Sequence, residues 1–218
     1  IIKIRNKQGF SNGINYKENI IYDGFFTNKK YVLKENNFLN LKHNILNYTI
    51  AFSALLALGL KSGKIIKDLN KFEGLPHRLE FLGHIKKIKF YNDSKATNVA
   101  ATCSAISSFK KVILIAGGSD KGDNFSELNK FSNEIIEIYL VGDNSYKIKK
   151  YINKKLKNQV CKNLKEAVEK SYKKSFSSGK YYPILFSPAS ASFDNYKSFE
   201  QRGNYFKKLF HNIRKKVA

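Results

Sequence analysis

The segment 92–98, Asn-Asp-Ser-Lys-Ala-Thr-Asn, places a carboxylate, a lysine and two hydroxyl groups between an apolar run and a helical pattern. Asp93, at the end of a strand, could accept two hydrogen bonds from a ribose diol. The helix that follows offers free backbone N–H groups to an anion, and Lys95 adds a mobile positive charge. An ordinary helix N-cap with a solvated lysine would use the same residues. Spacing alone leaves both interpretations open.

A second polar loop, Gly-Gly-Ser-Asp-Lys-Gly at residues 117–122, follows an apolar strand pattern. Its glycines let the backbone approach a ligand closely, and Lys121 could neutralise a carboxylate or a phosphate. The loop matches neither the G-x-x-x-x-G-K-[ST] phosphate loop nor the G-x-G-x-x-G fingerprint. A plain turn accounts for it about as well.

A third loop, residues 187–194, carries three serines ahead of a helical pattern. Small hydroxyl residues before a helix can form a concavity that binds a carboxylate. Arg202 lies three residues after Phe199, on a neighbouring part of the same helix surface. The alternative is a serine-rich loop with Arg202 paired to Glu200 or Asp194.

Two asparagines and a His-Arg pair complete the candidate set. Asn44 and Asn47 lie one turn apart at the start of an apolar helix, where asparagine must find hydrogen-bond partners. A nucleotide would supply such partners, and so would backbone capping. His77 and Arg78 follow a break at Pro76, where Arg78 could reach a phosphate or clamp two domains together. No Ser-His-Asp order, pair of catalytic carboxylates or metal-binding His/Cys cluster stands out.

The elements that must position these loops alternate between strand and helix after Pro76. The apolar patterns predict strands at 88–92, 112–116, 138–141 and 183–186, and helices at 96–107, 126–135, 145–155, 163–176 and 198–213. The run at 112–116 is typical of a parallel strand buried on both faces. This alternation predicts a Rossmann-like, doubly wound α/β domain over residues 76–218, with ligand sites at the carboxyl ends of the strands.

Residues 1–75 predict a different unit. Short β-prone stretches at 20–22 and 31–33 are too few for a sheet, so we interpret this region as the C-terminal remnant of a truncated domain. An apolar helix over 43–58 and a short helix over 65–72 follow. The predicted fold is therefore α/β, with a partial central domain before the Rossmann-like domain.

Charge and cysteine content favour a cytoplasmic protein that binds small molecules. The net charge of +23 invites a nucleic-acid interpretation. Arginine, which groove and phosphate readers favour, contributes only four residues, and the lysines are scattered without a basic block. Cys103 and Cys161 lack metal-ligand spacing, which indicates a reducing compartment. The longest apolar run, 48–60, is too short for a bilayer. We therefore predict neither a nucleic-acid nor a membrane partner.

Taken in order, the polar loops resemble the Mur ligase family. The resemblance rests on His43-Asn44-x-x-Asn47, Leu-Pro-His-Arg at 75–78, the loops at 92–98 and 117–122, and the segment 187–203. Within the family, Asp-Ser-Lys-Ala-Thr-Asn is similar to the members that add D-glutamate. Leu41 departs from the family pattern, which usually has glycine there. The resemblance also implies a Mg²⁺-binding phosphate loop and a UDP-binding domain upstream of residue 1, so that this chain alone would be inactive.

The resemblance implies an activity and a set of site residues. The activity is ATP-dependent addition of D-glutamate to UDP-N-acetylmuramoyl-L-alanine through an acyl phosphate in peptidoglycan synthesis, with Mg²⁺ as cofactor and a monomer as the full-length state. Residues 1–75 would belong to the central ATP-binding domain. ATP would be held by Asn44, Asn47, Arg78 and Asp93, and D-glutamate by Thr97, Lys121, Ser192 and the backbone of Phe199. Lys95 and Arg78 would act at the reacting phosphate, while His77 and Arg202 would have supporting roles.

A rival interpretation is a stand-alone α/β module that binds a nucleotide or an amino acid and has no ligase activity. The upstream sequence would separate the two, since a G-K-[ST] loop there would favour the ligase. The residues in hand fit both.

Overall fold

In a computed structural model, which describes residues 2–34 and 44–217, the chain forms two compact units, Ile1–Gly74 and Leu75–Ala218. The described residues of the first unit form four strands and two helices. These are β1 (Ile4–Asn6), β2 (Ile14–Lys17), β3 (Ile20–Asp23), β4 (Lys29–Val32), α1 (Asn44–Ala57) and α2 (Ser62–Leu69).

The expectation that the first unit has too few strands for a sheet was wrong. Its strands form one sheet in the order β1-β2-β3-β4, with β1 and β2 parallel and the other pairs antiparallel. Neither edge strand contains a fully buried residue, and both therefore lack the apolar alternation that marks a strand in sequence. Phe52 of α1 packs against Ile14 and Ile21 of the sheet to form the core. Leu41 and His43 lie outside the described residues.

The second unit contains six strands, four α-helices and a 3₁₀ helix. In chain order they are β5 (Glu80–Ile85), β6 (Ile88–Asn92), α3 (Val99–Ile106), β7 (Val112–Ala116), the 3₁₀ helix (Ser126–Phe131), β8 (Ile135–Leu140), α4 (Ser145–Tyr151), β9 (Asn158–Val160), α5 (Leu164–Ser177), β10 (Ile184–Phe186) and α6 (Phe199–Val217).

These strands form one sheet in the order β5-β6-β10-β7-β8-β9. All neighbours are parallel except β5, which pairs antiparallel with β6 at one edge. Strand β7 is buried along its whole length, as its apolar run predicts. On one face of the sheet, Phe206, Leu209 and Phe210 of α6 pack with Phe90 and Phe186. The predicted α/β class and the Rossmann-like sheet of this unit are confirmed.

Several element boundaries differ from the sequence prediction. Strands β5 and β9 were not predicted, because β5 contains Gly83 and His84 and β9 has only three residues. The helix expected over 126–135 is only a short 3₁₀ helix, since the chain turns into β8 at Ile135. Helix α3 begins three residues later than expected because the Asn98 side chain accepts a hydrogen bond from Ala101 N and caps it.

Candidate functional site

Three polar loops leave neighbouring strands at one edge of the second sheet. Strand β10 lies between β6 and β7 and is parallel to both, so their carboxyl ends share this edge. The loop after β6 begins at Asp93, the loop after β10 at Ser187 and the loop after β7 at Gly117. The chain leaves β10 for α6 and leaves β6 for α3, which packs on the 3₁₀ helix. Loops that diverge in this way open a crevice where ligands bind in doubly wound folds.

The carboxylate of Asp93 is buried at the centre of this edge. Its Oδ2 accepts a hydrogen bond from Ser187 Oγ at 2.7 Å, and its Oδ1 accepts one from Leu79 N at 3.0 Å. Thr102 Oγ1 lies 2.9 Å from Ser187 Oγ and extends the chain of hydroxyls. Burial raises the pKa of Asp93 to about 7, although these hydrogen bonds and Arg78 oppose the shift. Each carboxylate oxygen thus already has a protein donor and retains a lone pair for a ligand.

Asp93 also holds the turn that presents Arg78. His77 and Leu79, on either side of Arg78, both have positive φ, which costs energy for residues other than glycine. The hydrogen bond from Leu79 N to Asp93 and the one from Lys95 N to His77 O fix this backbone. The turn leaves the Arg78 side chain exposed. A strained turn therefore projects a guanidinium beside a buried carboxylate.

His77 is buried against α6. Its Nδ1 lies 2.9 Å from Asn92 Nδ2, which must donate because an amide nitrogen has no acceptor lone pair. Burial and the Lys207 ammonium lower the pKa of His77, which keeps the ring neutral and able to accept. A Cβ added at Gly203 would collide with this ring. The supporting role predicted for His77 thus takes the form of a packed contact with α6.

Arg202 is also buried, and it joins the loops after β6 and β10. Its Nη2 donates to the carbonyls of Ser94 and Ser190, each at 2.9 Å, and its Nη1 donates to Ala191 O at 2.8 Å. Its Nε donates to Ser94 Oγ at 3.1 Å. Ser94 Oγ in turn donates to the carbonyl of Phe199. Neither Glu200 nor Asp194 is the hydrogen-bond partner of Arg202; backbone carbonyls and a hydroxyl are.

Asn144, which sequence reasoning missed, joins the loop after β7 to the loop after β10. Its Oδ1 accepts from Gly118 N at 2.9 Å, and its Nδ2 donates to Ser190 Oγ at 2.8 Å. The sequence does contain a signal for Asn144, because this polar residue follows an apolar strand, as the polar residues of the other three loops do. We call Asp93, Ser94, Asn144, Ser187, Ser190 and Arg202, all of which are at least nine-tenths buried, the buried junction.

The glycine pair serves the packing of these loops. A Cβ at Gly117 would collide with the carbonyl of Val141, and one at Gly118 with the carbonyl of Ala191. The backbone N–H groups of Gly117 and Ser119 donate to the carbonyls of Pro188 and Ala191. The close approach that the glycines permit is therefore to neighbouring backbone.

Three cations, Arg78, Lys95 and Lys121, are exposed at this same edge, and we call them the exposed rim. Lys95 Nζ lies 5.4 Å from the centroid of the Phe199 ring, and Lys121 Nζ lies 5.4 Å from that of Phe193. The contact of Lys121 with Phe193 joins the tip of the loop after β7 to the loop after β10. Asp120, beside Lys121, is paired instead with Lys147 at 2.6 Å.

The other predicted glutamate-binding residues lie on the same three loops. Thr97 is half-buried between β6 and α3, and Ser192 is buried after β10. Among the described residues, no partner is recorded for Ser192 Oγ or for the amide N–H of Phe199, the first residue of α6. These donors remain available to a ligand.

Asn44 and Asn47 belong to the first unit. Both lie in the first turn of α1, with Asn44 buried and Asn47 exposed. Over residues 2–34 and 44–217, no three His, Cys, Asp or Glu side chains are grouped so that they could hold a metal ion. Over the same ranges, no helix has the length and apolarity needed to cross a membrane.

The sequence that forms most of this sheet edge matches a known protein family. Residues 77–184 match the family model described as Mur ligase, glutamate ligase domain. The chain is 37% identical to the UDP-N-acetylmuramoylalanine--D-glutamate ligase of Caldanaerobacter subterraneus subsp. tengcongensis, over 99% of this chain and 48% of that protein. It is 33% identical to the ligase of the same name from Rickettsia bellii, over 92% of this chain and 45% of that protein. The chain thus spans about half the length of these relatives.

Solved structures agree on the fold. A pseudomurein peptide ligase type C from Methanothermus fervidus superimposes with a TM-score of 0.64 at 19% identity, over 92% of this chain and 41% of that one. The UDP-N-acetylmuramoylalanyl-D-glutamyl-2,6-diaminopimelate--D-alanyl-D-alanyl ligase of Acinetobacter baumannii gives 0.59 at 17% identity, over 91% and 43%. The family-model match and the sequence identity to these ligases establish that the chain belongs to the Mur ligase family.

Proposed function

We propose that this chain is the part of an ATP-dependent amide ligase that binds D-glutamate and one side of ATP. The full-length enzyme would add D-glutamate to UDP-N-acetylmuramoyl-L-alanine through an acyl phosphate in peptidoglycan synthesis. The observation that carries the proposal is the joining of three polar loops at one sheet edge by the buried junction, with the exposed rim around it. The names of the relatives supply the substrates.

The nucleotide would bind on the side of Asp93 and Arg78. Asp93 retains lone pairs for a ribose diol, and the strained turn directs Arg78 to solvent, where it can meet a phosphate. We also assign ATP binding to Asn44 and Asn47 in the first unit, which would make residues 1–75 part of the central ATP-binding domain. Mg²⁺ would come with ATP, and we assign most of its ligands to a segment upstream of this chain.

D-Glutamate would bind on the side of Lys121. A dicarboxylate needs cations and N–H or O–H donors, which Lys121, Thr97, Ser192 Oγ and the Phe199 amide offer on three adjoining loops. Lys95 and Arg78 would neutralise charge as the phosphoryl group moves and the acyl phosphate forms. Chemistry of this kind depends on positioning and electrostatics more than on a protein nucleophile. Arg202 and His77 would act through the loops that they hold.

The proposal extends to the cell. We propose that the full-length enzyme is cytoplasmic and monomeric and is needed for cell shape and division, because peptidoglycan synthesis implies these properties.

Kinetics of the full-length enzyme test this assignment. Turnover of ATP to ADP beyond about one equivalent per enzyme should require both UDP-N-acetylmuramoyl-L-alanine and D-glutamate, because the acyl phosphate must react with D-glutamate before the enzyme can turn over again. Lys121→Ala should raise the KM for D-glutamate at least tenfold, on the order of 1.4 kcal/mol of lost binding, and leave the KM for ATP within about twofold. The matched control is Lys110→Ala, which removes an exposed lysine ahead of β7, at the opposite end of the strand. Equal increases in both KM values would contradict the assignment of Lys121.

A further inference from the structure

A second crevice lies at the same edge of the sheet, between β8 and β9. The chain steps from β8 to its neighbour β9 and then returns past β8 and β7 to reach β10. Because parallel crossovers are right-handed, these opposite steps put α4 and α5 on opposite faces of the sheet. The loops after β8 and β9 therefore diverge, which is the condition for a ligand crevice in doubly wound folds.

A cavity of about 700 Å³ occupies this place. Its walls include Gly142 and Asp143 after β8, Asn163 at the start of α5, and Asp194 after β10. Its volume falls in the range of roughly 300–1,000 Å³ that is usual for small-molecule sites. The cavity adjoins the site proposed above, because Gly117, Gly118 and Arg202 also line it, but none of the three cations of the exposed rim does.

The placement of Asp143 suggests what the cavity holds. In dinucleotide-binding sheets a glycine loop after one strand binds the pyrophosphate, and an acid about 20 residues later, after the adjacent strand, binds the ribose hydroxyls. Here Gly117-Gly118 follows β7, and Asp143 follows the adjacent β8 roughly 25 residues later. Asp143 is exposed, and no partner is recorded for its carboxylate among the described residues.

The glycine loop after β7 cannot bind a pyrophosphate through its backbone N–H groups, because these groups already have partners. The N–H groups of Gly117, Gly118 and Ser119 already donate to Pro188 O, Asn144 Oδ1 and Ala191 O. A pyrophosphate would find no free backbone donors in this glycine loop. The ligand that fits is therefore a nucleoside without a diphosphate.

Two further features of the cavity match a nucleoside. Asp194 lines the cavity, but its Oδ1 is buried and has no hydrogen-bond partner. A rotation of this carboxylate towards the cavity would let it accept from a ligand hydroxyl and offset a desolvation cost of about 1–3 kcal/mol. Tyr146, Tyr196 and Tyr205 line the walls and supply aromatic side chains against which a base can pack. We propose that this cavity binds a ribonucleoside, with its sugar hydroxyls donating to Asp143 and Asp194 and its base against the tyrosine rings.

Equilibrium dialysis of the 218-residue chain with labelled adenosine tests the proposal. One adenosine should bind per chain, and Asp143→Asn should raise its Kd at least tenfold, as should replacing adenosine by 2′,3′-dideoxyadenosine. Asp143 is exposed, so the substitution leaves the fold intact. The matched control is Asp68→Asn, the same change at an exposed site on α2, which should leave the Kd unchanged.

The variant Asp93→Asn separates this site from the proposed ATP site. Adenosine binding that survives Asp93→Asn and is lost in Asp143→Asn supports the second crevice. Binding that is lost only in Asp93→Asn would assign adenosine to the ATP site and overturn the inference. The proposed ligase function would still stand in that case. Absence of binding at millimolar adenosine, or full binding by Asp143→Asn, would also overturn it.

Cys161 gives an independent readout, because it lines the cavity whereas Cys103 lies on α3. Burial raises the pKa of Cys161 to about 11, so alkylation of the native chain should be slow and measurable by mass spectrometry. Adenosine should slow the alkylation of Cys161 at least threefold and leave that of Cys103 unchanged. Equal rates for Cys161 with and without adenosine would count against the proposal.

Discussion

The buried junction and the exposed rim lie at the same edge of one sheet and both contain cationic side chains, but solvent access separates the roles of these cations. Arg202 is 2% exposed and gives its guanidinium donors to Ser94, Ser190 and Ala191. Lys121 is exposed, and its recorded contact is the face of Phe193. A buried cation that is hydrogen-bonded to several loops holds them together, whereas an exposed cation can reach a ligand. Positive charge at a strand end thus has two uses that burial distinguishes.

The largest expected effect comes from replacing Arg202, the buried cation of the junction. Arg202→Met keeps the side-chain volume but leaves the buried carbonyls of Ser94 and Ser190 without donors and removes one of the two donors to Ala191 O, so unfolding should become easier by about 3 kcal/mol or more. Urea denaturation followed by circular dichroism measures the loss. Arg214→Met, at an exposed position on the same helix, should change stability by less than about 0.5 kcal/mol. Similar midpoints for the two variants would refute the structural role of Arg202.

Asp93 should make the stability of the junction depend on pH. Its folded-state pKa of about 7 lies above the usual value of about 4, so between these values the folded chain holds a proton that the unfolded chain has released. Stability should therefore fall as pH rises through this window, by up to about 1.4 kcal/mol per unit. Thermal unfolding of the wild type and Asp93→Asn from pH 4 to 8 checks the sign. A slope that is unchanged in Asp93→Asn would show that other groups cause it.

Gly203→Ala should destabilise α6 although alanine is the better helix former. A methyl group there meets the His77 ring, and overpacking of this kind costs about 1–3 kcal/mol. Asn204→Ala, the next residue on the exposed face, should be neutral or slightly stabilising. Chemical denaturation of both variants gives the comparison. A Gly203→Ala protein as stable as the wild type would mean that His77 can move away from α6.

The smallest effect on folding should come from the rim. Lys121→Met removes an exposed cation, and the free energy of unfolding should change by no more than about 0.5 kcal/mol. The same denaturation assay as for Arg202→Met applies, which makes the two values directly comparable. A loss as large as that of Arg202→Met would erase the distinction between rim and junction.

The candidate site was largely predictable because its residues follow strand ends. Parallel strands bring their carboxyl ends to one edge, so apolar runs followed by polar residues were enough to identify the loops at Asp93, Gly117 and Ser187. Asn144 follows the same rule, because Gly142-Asp143-Asn144 comes after strand β8, yet this shorter polar segment was not among the loops identified from the sequence. Thr102, on α3, offered no such signal, since a threonine in an apolar helix pattern is usually a packing residue.

The sequence by itself determined the α/β class, the buried strand at 112–116, the order of the polar loops and the family resemblance, because each depends on local periodicity or on short motifs. The tertiary structure alone decided that β10 lies between β6 and β7 and that a second cavity opens beside Asp143. It also decided that Arg202 is buried and hydrogen-bonded to neighbouring loops, whereas Lys121 is exposed. These properties depend on which distant segments meet, and burial and hydrogen-bond partners arise only from that meeting.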